Sequence, residues 1–424
     1  MSCNSYGIKA LDQESRAITG LDERVTSALR SLNPRRLAHW LLWSSLAVHV
    51  PIAYVATVDS RRPGQDFDNY YYNIGTKAGH PYLDYPVEFP VATVEAFRAI
   101  GPVAGNRERF GVALVVVNVV ADLVIAGTLA WGWGIPAAAG YAFVVIPLID
   151  LFLLRFDFWP TAFATLAVAA WHRERRVLAA IAIAAGAAFK LWPLAFLPLL
   201  LVPSRTRGRA VPIAAAVAAG LAVLGVWLWV AGPLGLFQVL TFRGARGWEI
   251  ESTVGAVWML FDRSSMRVET GAWRIGTTSG PISMLLFALG GIPCLWMIWR
   301  GARTGHLGAG WTGGITALLA LSALLSPQFA CWLAPATGVA WVEGDRRIAV
   351  LTGLEVFLTN LVYKSFNPLM HGAPRALMTL HLRNLFFLCV AFYAARLVAR
   401  APLPAEAVPV PSDGGDPWPA NAHI

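Results

Sequence analysis

Residues 111–131 read GVALVVVNVVADLVIAGTLAW, an apolar run with a single charged side chain, Asp122. A helix crossing the hydrocarbon core of a bilayer needs about 20 such residues. The run is therefore read as a membrane span, and the chain carries others like it. Ala38–Thr57 precedes it. Ile135–Leu153, Phe158–Trp171, Val177–Phe189, Leu191–Pro203 and Ala210–Ala231 follow. Pro281–Trp299, Gly310–Leu325, Phe329–Val342, Ile348–Tyr363 and Asn384–Leu397 complete a set of twelve. Several are short for a full crossing. Broken helices are tolerated where they are buried in protein or line a cavity.

Composition agrees with this reading. Of 424 residues, 56% are hydrophobic and 14% charged, with a mean hydropathy of +0.54. Soluble domains carry about 25% charged residues. A soluble globular enzyme, a disordered chain and a coiled coil are thereby excluded. The formal net charge is +9. Membrane proteins collect Lys and Arg in cytoplasmic loops. No Lys/Arg tract here carries the interleaved aromatics of a nucleic-acid binder. Of Cys3, Cys294, Cys331 and Cys389, one lies in the N-terminal tail and three in apolar segments, so no disulfide framework is implied.

The fold class that follows is an all-α polytopic membrane protein of about twelve transmembrane helices. Residues 1–37 form a basic N-terminal tail, 38–400 the transmembrane domain, and 401–424 a Pro-rich tail read as disordered. Residues 58–110 are the first external loop. Within it, Val91–Ala96 and Ile100–Ala104 are read as two short helices lying on the membrane surface, because neither is long enough to span. Alternating the spans places both termini in the cytoplasm. The loops Arg173–Arg176, Arg205–Arg209, Arg300–Arg303 and Arg346–Arg347 then also fall inside, as the positive-inside rule requires. The bases of the first loop, such as Arg61 and Arg107, run against that rule, which is weaker for long loops.

The same alternation gathers the unusual polar residues on the outer side. Asp66-Phe67-Asp68-Asn69-Tyr70-Tyr71-Tyr72 opens the first loop, and Tyr85-Pro86-Val87-Glu88 follows. A carboxylate there can act as general base toward a hydroxyl, and Tyr side chains suit sugar binding. The alternative is a solvated loop anchored by its tyrosines at the interface. Arg155 and Asp157 sit at a break between two spans, where charges either pair to pin a helix end or face a polar cavity. Lys190 lies between two apolar runs and either snorkels or meets an anion. In Arg243-Gly244-Ala245-Arg246-Gly247-Trp248-Glu249-Ile250-Glu251, the two arginines can hold a lipid phosphate. Glu249 and Glu251 can order them or bind sugar hydroxyls; otherwise the loop is simply solvated. Ser326-Pro327-Gln328 caps another span, joined by Lys364, His371, Arg375, His381 and Arg383. Asp122 and Glu355 lie inside spans, as proton relays or as hydrogen-bonded structural acids. No phosphate-binding loop or dinucleotide fingerprint is present.

Taken in order, four segments resemble the polytopic glycosyltransferases of the GT-C class, and most closely glycosyltransferase family 87. They are Asp66 to Tyr71 with Tyr85-Pro86, Arg155 to Pro193, Arg246 to Ser252, and Leu324 to Phe329. The resemblance implies a GT-C-like bundle with surface helices in the first external loop. It implies transfer of a sugar, mannose or next arabinofuranose, at the outer face of the plasma membrane. The donor would be a polyprenyl-phosphate-linked sugar and the acceptor a glycolipid or glycan. It implies Asp66 as base with Tyr70 and Tyr71, Asp68 being the alternative. Lys190, Arg243 and Arg246 would hold the donor phosphate. Tyr85, Arg155, Asp157, Glu249, Glu251 and Gln328 would bind substrate. No cofactor and no metal is required, because the leaving phosphate already carries charge. The sequence departs from the family at Tyr85-Pro86-Val87, where Tyr-Pro-Pro is usual, and at Arg155-Phe156-Asp157, where the family reads Gly-Gln. A transporter or lipid flippase, and a non-catalytic membrane scaffold, are the competing readings.

Overall fold

A computed structural model describes residues 34–59, 67–203, 210–241, 245–269, 271–278 and 280–403. The chain is predominantly helical. Helix α1 is Pro34–Asp59, α2 Val91–Ala104, α3 Arg107–Trp133 and α4 Ile135–Val144. Helix α5 is Phe158–His172, α6 Arg176–Phe189 and α7 Ala210–Leu240. Helix α8 is Gly280–Thr304, α9 Leu307–Ala320 and α10 Ala334–Val342. Helix α11 is Arg346–Lys364 and α12 Pro374–Arg400.

Among the described residues, six helical segments are long and apolar enough to cross a membrane: α1, α3, Ile135–Leu153, α7, α8 and α12. The other six expected spans do form helical segments, but five are short. Helices α5, α6 and α9 have 15, 14 and 14 residues, and α10 has 9. At 1.5 Å per residue, 15 residues reach about 22 Å, short of the roughly 30 Å core. The segment Trp192–Leu201 is a 3₁₀ helix. Pro193 and Pro198 remove two amide donors there, so an α-helical ladder cannot run through. Helix α11 is long enough, but Arg346, Arg347, Glu355 and Lys364 lower its hydropathy. Six such helices are thus found among the described residues, and the twelve expected are not all matched by helices of that length and apolarity.

Three expectations are corrected. Among the described residues of 58–110, Val91–Ala96 and Ile100–Ala104 belong to one continuous helix, α2, instead of two, and short helical turns at Asp68–Tyr72 and Asn73–Thr76 precede it. Val91, Val94, Phe97, Gly101 and Ala104 bury one stripe of it, at the three- and four-residue spacing of a helix face. Arg98 and Gly101 do not break the helix, because Gly101 packs closely on the backbone of Gly75. The mixed-charge loop after α7 folds into a small antiparallel sheet of strands β1 Trp248–Glu249, β2 Arg267–Glu269 and β3 Ala272–Ile275, in the order β1-β3-β2. Helix α12 begins at Pro374, ten residues before the expected Asn384, so Arg383 is helical and buried rather than in an external loop.

Small residues bring the short helices together. Gly338 of α10 lies directly against the backbone of Ala137 on α4, and a Cβ there would meet the Ala137 carbonyl. Backbone approach of this kind is how helices pack where no hydrophobic drive separates lipid from protein. Helix α7 bends at Gly232, whose φ of 61° only glycine adopts cheaply, and Pro233 follows. The two buried acids of the helices are held by hydrogen bonds from neighbouring helices. Asp122 accepts from Tyr141 Oη at 2.6 Å and bonds His49 Nδ1 at 2.8 Å, which ties α1, α3 and α4 together. Glu355 accepts from Thr316 Oγ1 at 3.0 Å.

The Arg-bearing loops meet at one end of the bundle. Arg173 donates from Nε to Trp131 O at 2.9 Å, Arg300 Nη2 to Ala401 O at 2.8 Å, and His306 Nδ1 bonds Asp345 at 2.9 Å. The loop Arg205–Arg209 lies outside the described residues, as do most of both tails.

Candidate active site

The opposite end of the bundle holds a buried charged cluster drawn from distant parts of the chain. Its first half is the break between Leu153 and α5. Asp157, 1% exposed, accepts from Lys190 Nζ at 2.6 Å and from Trp332 Nε1 at 3.1 Å. Lys190 terminates α6, and its ammonium stands over three rings: Phe329 at 4.3 Å, Trp332 at 5.0 Å and Phe156 at 5.1 Å. Trp332 in turn stacks on Trp192 at 4.9 Å. Lys190 therefore neither snorkels nor stands free. Its charge is shared between one carboxylate and an aromatic cage, both of which favour a cation.

The second half is the small sheet. Glu249 and Arg274 are direct cross-strand partners on β1 and β3. The Glu249 carboxylate accepts from the Leu325 amide at 2.8 Å and Ser326 Oγ at 2.9 Å. Arg274 donates to Gly247 O at 2.8 Å, and its charge is felt by Glu249, Glu269 and Glu88 of the first loop. Two residues on, the backbone carbonyl of Glu251 accepts from Arg383 Nη2 at 2.8 Å and Asn384 Nδ2 at 3.3 Å. Arg155 couples the halves, because its guanidinium interacts electrostatically with Asp157, Glu249, Glu251 and Tyr363. Burial pushes the Glu249 carboxyl above its ordinary range. Burial and the neighbouring Glu249 push Glu251 up to about 8, against the opposing pull of Arg383 and Arg155.

This has a consequence for stability. A carboxyl with a raised folded-state pKa contributes stability in full below its unfolded range, and loses it as pH rises through the folded value. For Glu251 the window closes at about 8. The melting temperature of the purified protein is expected to fall by a few degrees between about pH 6 and about pH 9, and Glu251→Gln is expected to flatten that slope. Thermal melts across the range check it. An equally steep slope in the variant assigns the effect elsewhere.

The segment 67–110 closes on the same place. Thr93 of α2 donates to Phe189 O, one residue before Lys190, at 2.6 Å. Tyr71 packs edge-on against Phe156 at 5.7 Å and at a tilt against Phe97 at 4.8 Å. Tyr85 is buried, with Lys77 Nζ 4.5 Å above its ring. Gln238 of α7 clamps this part of the loop, donating to Tyr82 O at 2.8 Å and accepting from the Val87 amide at 2.9 Å.

The expected site residues thus divide. Arg155, Asp157, Lys190, Glu249 and Glu251 come together, and Gln328 is half-buried on the 3₁₀ turn Pro327–Trp332 beside them. Tyr71 and Tyr85 line the loop that packs on the cluster. Asp68 is engaged elsewhere, in a bidentate ion pair with Arg107 at 2.7 and 2.8 Å. Arg246 is exposed, and only its backbone is fixed, the amide donating to Glu269 at 2.7 Å. It does not join Lys190. Asp66, Arg243 and the side chain of Tyr70 lie outside the described residues. Sequence reasoning placed Arg383 in a loop and passed over Arg274, Trp332 and Asn384 as site residues. A buried arginine flanked by leucines, as in Leu382-Arg383-Asn384-Leu385, was the available signal.

No protein-family model matches the chain, and no curated protein sequence matches it.

Proposed function

We propose that this chain is an integral membrane glycosyltransferase of GT-C type. It moves a sugar, mannose by resemblance, from a polyprenyl-phosphate donor to a glycolipid or glycan acceptor. The observation that carries the reading is the convergence of Asp157, Lys190, Glu249 and Glu251, with Arg155, at the end of the bundle away from the Arg-bearing loops. Polar groups at one end suit a reaction at a membrane face. A transporter site would stand nearer the midplane, where Asp122 is already satisfied by His49 and Tyr141. In this reading the Arg-bearing end faces the cytoplasm and the cluster faces outward, at the plasma membrane.

The chemistry is a single displacement. The acceptor oxygen bonds to the anomeric carbon as the bond from that carbon to the lipid phosphate breaks. The acceptor proton passes to a first-loop carboxylate, and the phosphate leaves with its charge. A β-linked donor gives an α-linked product. Lys190 and Arg155 offer positive charge in a low-dielectric site, where such charge stabilises a developing anion strongly. Asp68, with both oxygens against Arg107, suits holding the loop; Asp66 is the base that the resemblance implies, with Asp68 the alternative.

The test is transfer in purified membranes from radiolabelled polyprenyl-phosphomannose to a lipid extract. Asp66→Asn is expected to lower transfer by about a hundredfold or more, and Asp68→Asn by less. Loss confined to Asp68→Asn moves the base. Transfer unaffected by both removes the first-loop base from the mechanism. If mannose is not transferred, the pentosyl donor is the next substrate.

A further inference from the structure

Besides the Lys190–Asp157 pair, three side chains near Glu249 are almost wholly enclosed. Glu251 is 4% exposed, Asn384 3% and Arg383 0%. Backbone hydrogen bonds to the Glu251 carbonyl hold Arg383 and Asn384 against the same short segment. Yet Glu251 Oε1, Arg383 Nε and Nη1, and Asn384 Oδ1 have no hydrogen-bond partner among the described residues. A buried polar group left unpaired is costly. Four such atoms together, two acceptors and two donors, mark a place that is completed by something else.

We propose that Glu251, Arg383 and Asn384 form a subsite for a polyhydroxylated group of sugar-ring chemistry. The mixture of atoms decides the class. A hydroxyl both donates and accepts, so neighbouring hydroxyls on a ring can satisfy Glu251 Oε1 and Asn384 Oδ1 as acceptors while receiving from the Arg383 guanidinium. A phosphate would meet Arg383 but brings no donor for Glu251 Oε1 and Asn384 Oδ1. A divalent cation would leave the Arg383 donors unmet and would be repelled by the guanidinium. A neutral, multiply hydroxylated ligand meets every atom. The proposal rests on the glycosyl-transfer reading for what brings that group to the membrane face, and it adds which residues grip it. Arg383 and Asn384 act as binding residues here, apart from the role proposed for Lys190.

The separation of roles gives the test. Full-length protein purified in detergent is examined by saturation-transfer NMR with methyl α-mannoside, methyl arabinofuranoside and, as a counter-probe, inorganic phosphate. Wild type is expected to transfer saturation to the ring protons of at least one glycoside. Glu251→Gln, which keeps the shape of the side chain, is expected to weaken that binding about tenfold or more. Asn384→Ala is the second variant, so that failure of one to fold leaves the test intact. Both are checked by elution as a single species. In the transfer assay the two variants should raise KM for the sugar-bearing substrate more than they lower kcat. No glycoside signal from wild type, unchanged binding in both folded variants, or displacement of the glycoside by phosphate would each overturn the subsite. Glycoside binding that depends on Glu251, without transfer from any lipid-linked donor, supports the subsite and counts against the transferase reading alone.

Discussion

Replacing Lys190 with methionine is expected to remove both a structural support and the chemistry. Methionine matches the aliphatic stem of lysine but lacks the ammonium that stands over Phe329 and Trp332, so the change removes the charge together with its ring contacts. Asp157 would then lose the ammonium at 2.6 Å while remaining 1% exposed. Stranding one partner of a buried pair costs about 3–5 kcal/mol. The low end, about 3 kcal/mol, is expected here, because the Trp332 indole still donates to the same oxygen at 3.1 Å. Sugar transfer should fall by about a hundredfold or more, the usual effect of removing one donor from a developing anion. The double variant Lys190→Met with Asp157→Asn separates the two contributions. It should regain most of the lost thermal stability, since no charge is left stranded, and regain none of the transfer. Thermal melts and transfer rates on the three proteins check this. Recovery of transfer in the double variant would mean that Lys190 acts only through Asp157.

The second large effect belongs to the bundle rather than the site. Gly338→Leu is expected to abolish the folded protein. The added Cβ would run into the carbonyl of Ala137, a backbone atom that cannot rotate away, and Gly140 lies close on the same face. Overpacking of a close contact costs about 1–3 kcal/mol where side chains can adjust, and more where only backbone can move. Helices α4 and α10 would separate, and with them the α4 contacts to His49 that fix α1. Gly220→Leu is the matched control. It lies on α7 with no atom near the position of a Cβ, so the folded yield should not change. Size-exclusion profiles of detergent extracts read the outcome directly. A monodisperse Gly338→Leu protein would show that the α4–α10 contact is not required.

The helical membrane character was legible because apolar runs leave little choice. Gly111–Trp131 and Ala210–Ala231 have so few polar groups that only a helix in lipid satisfies their backbone. The placement of Arg155, Asp157, Lys190 and the Glu249 to Glu251 stretch at one end was legible from parity alone, once the spans were counted through. What stayed hidden has physical reasons. The shortness of α5, α6, α9 and α10 comes from Pro, Gly and charged residues at their ends, which a hydropathy reading smooths over. The small sheet alternates polar and aromatic residues over strands of two to four residues, too short for a period to register. The partners of Lys190 could not be named, because Trp332 is supplied from the far side of α9 and Asp157 from before α5. Arg383 was hidden for a related reason. Its role depends on the carbonyl of Glu251, a backbone atom 132 positions away in the chain.

The claim at the centre of this account is that a sugar leaves a lipid phosphate at the Lys190 cluster. The most direct measurement follows both products in proteoliposomes containing only this chain, a labelled polyprenyl-phosphate sugar and a glycolipid acceptor. Free polyprenyl phosphate and glycosylated acceptor are expected to appear in equal amounts, at a rate that collapses in Lys190→Met. Movement of intact donor between leaflets without release of polyprenyl phosphate would contradict the account and establish a lipid transporter in its place.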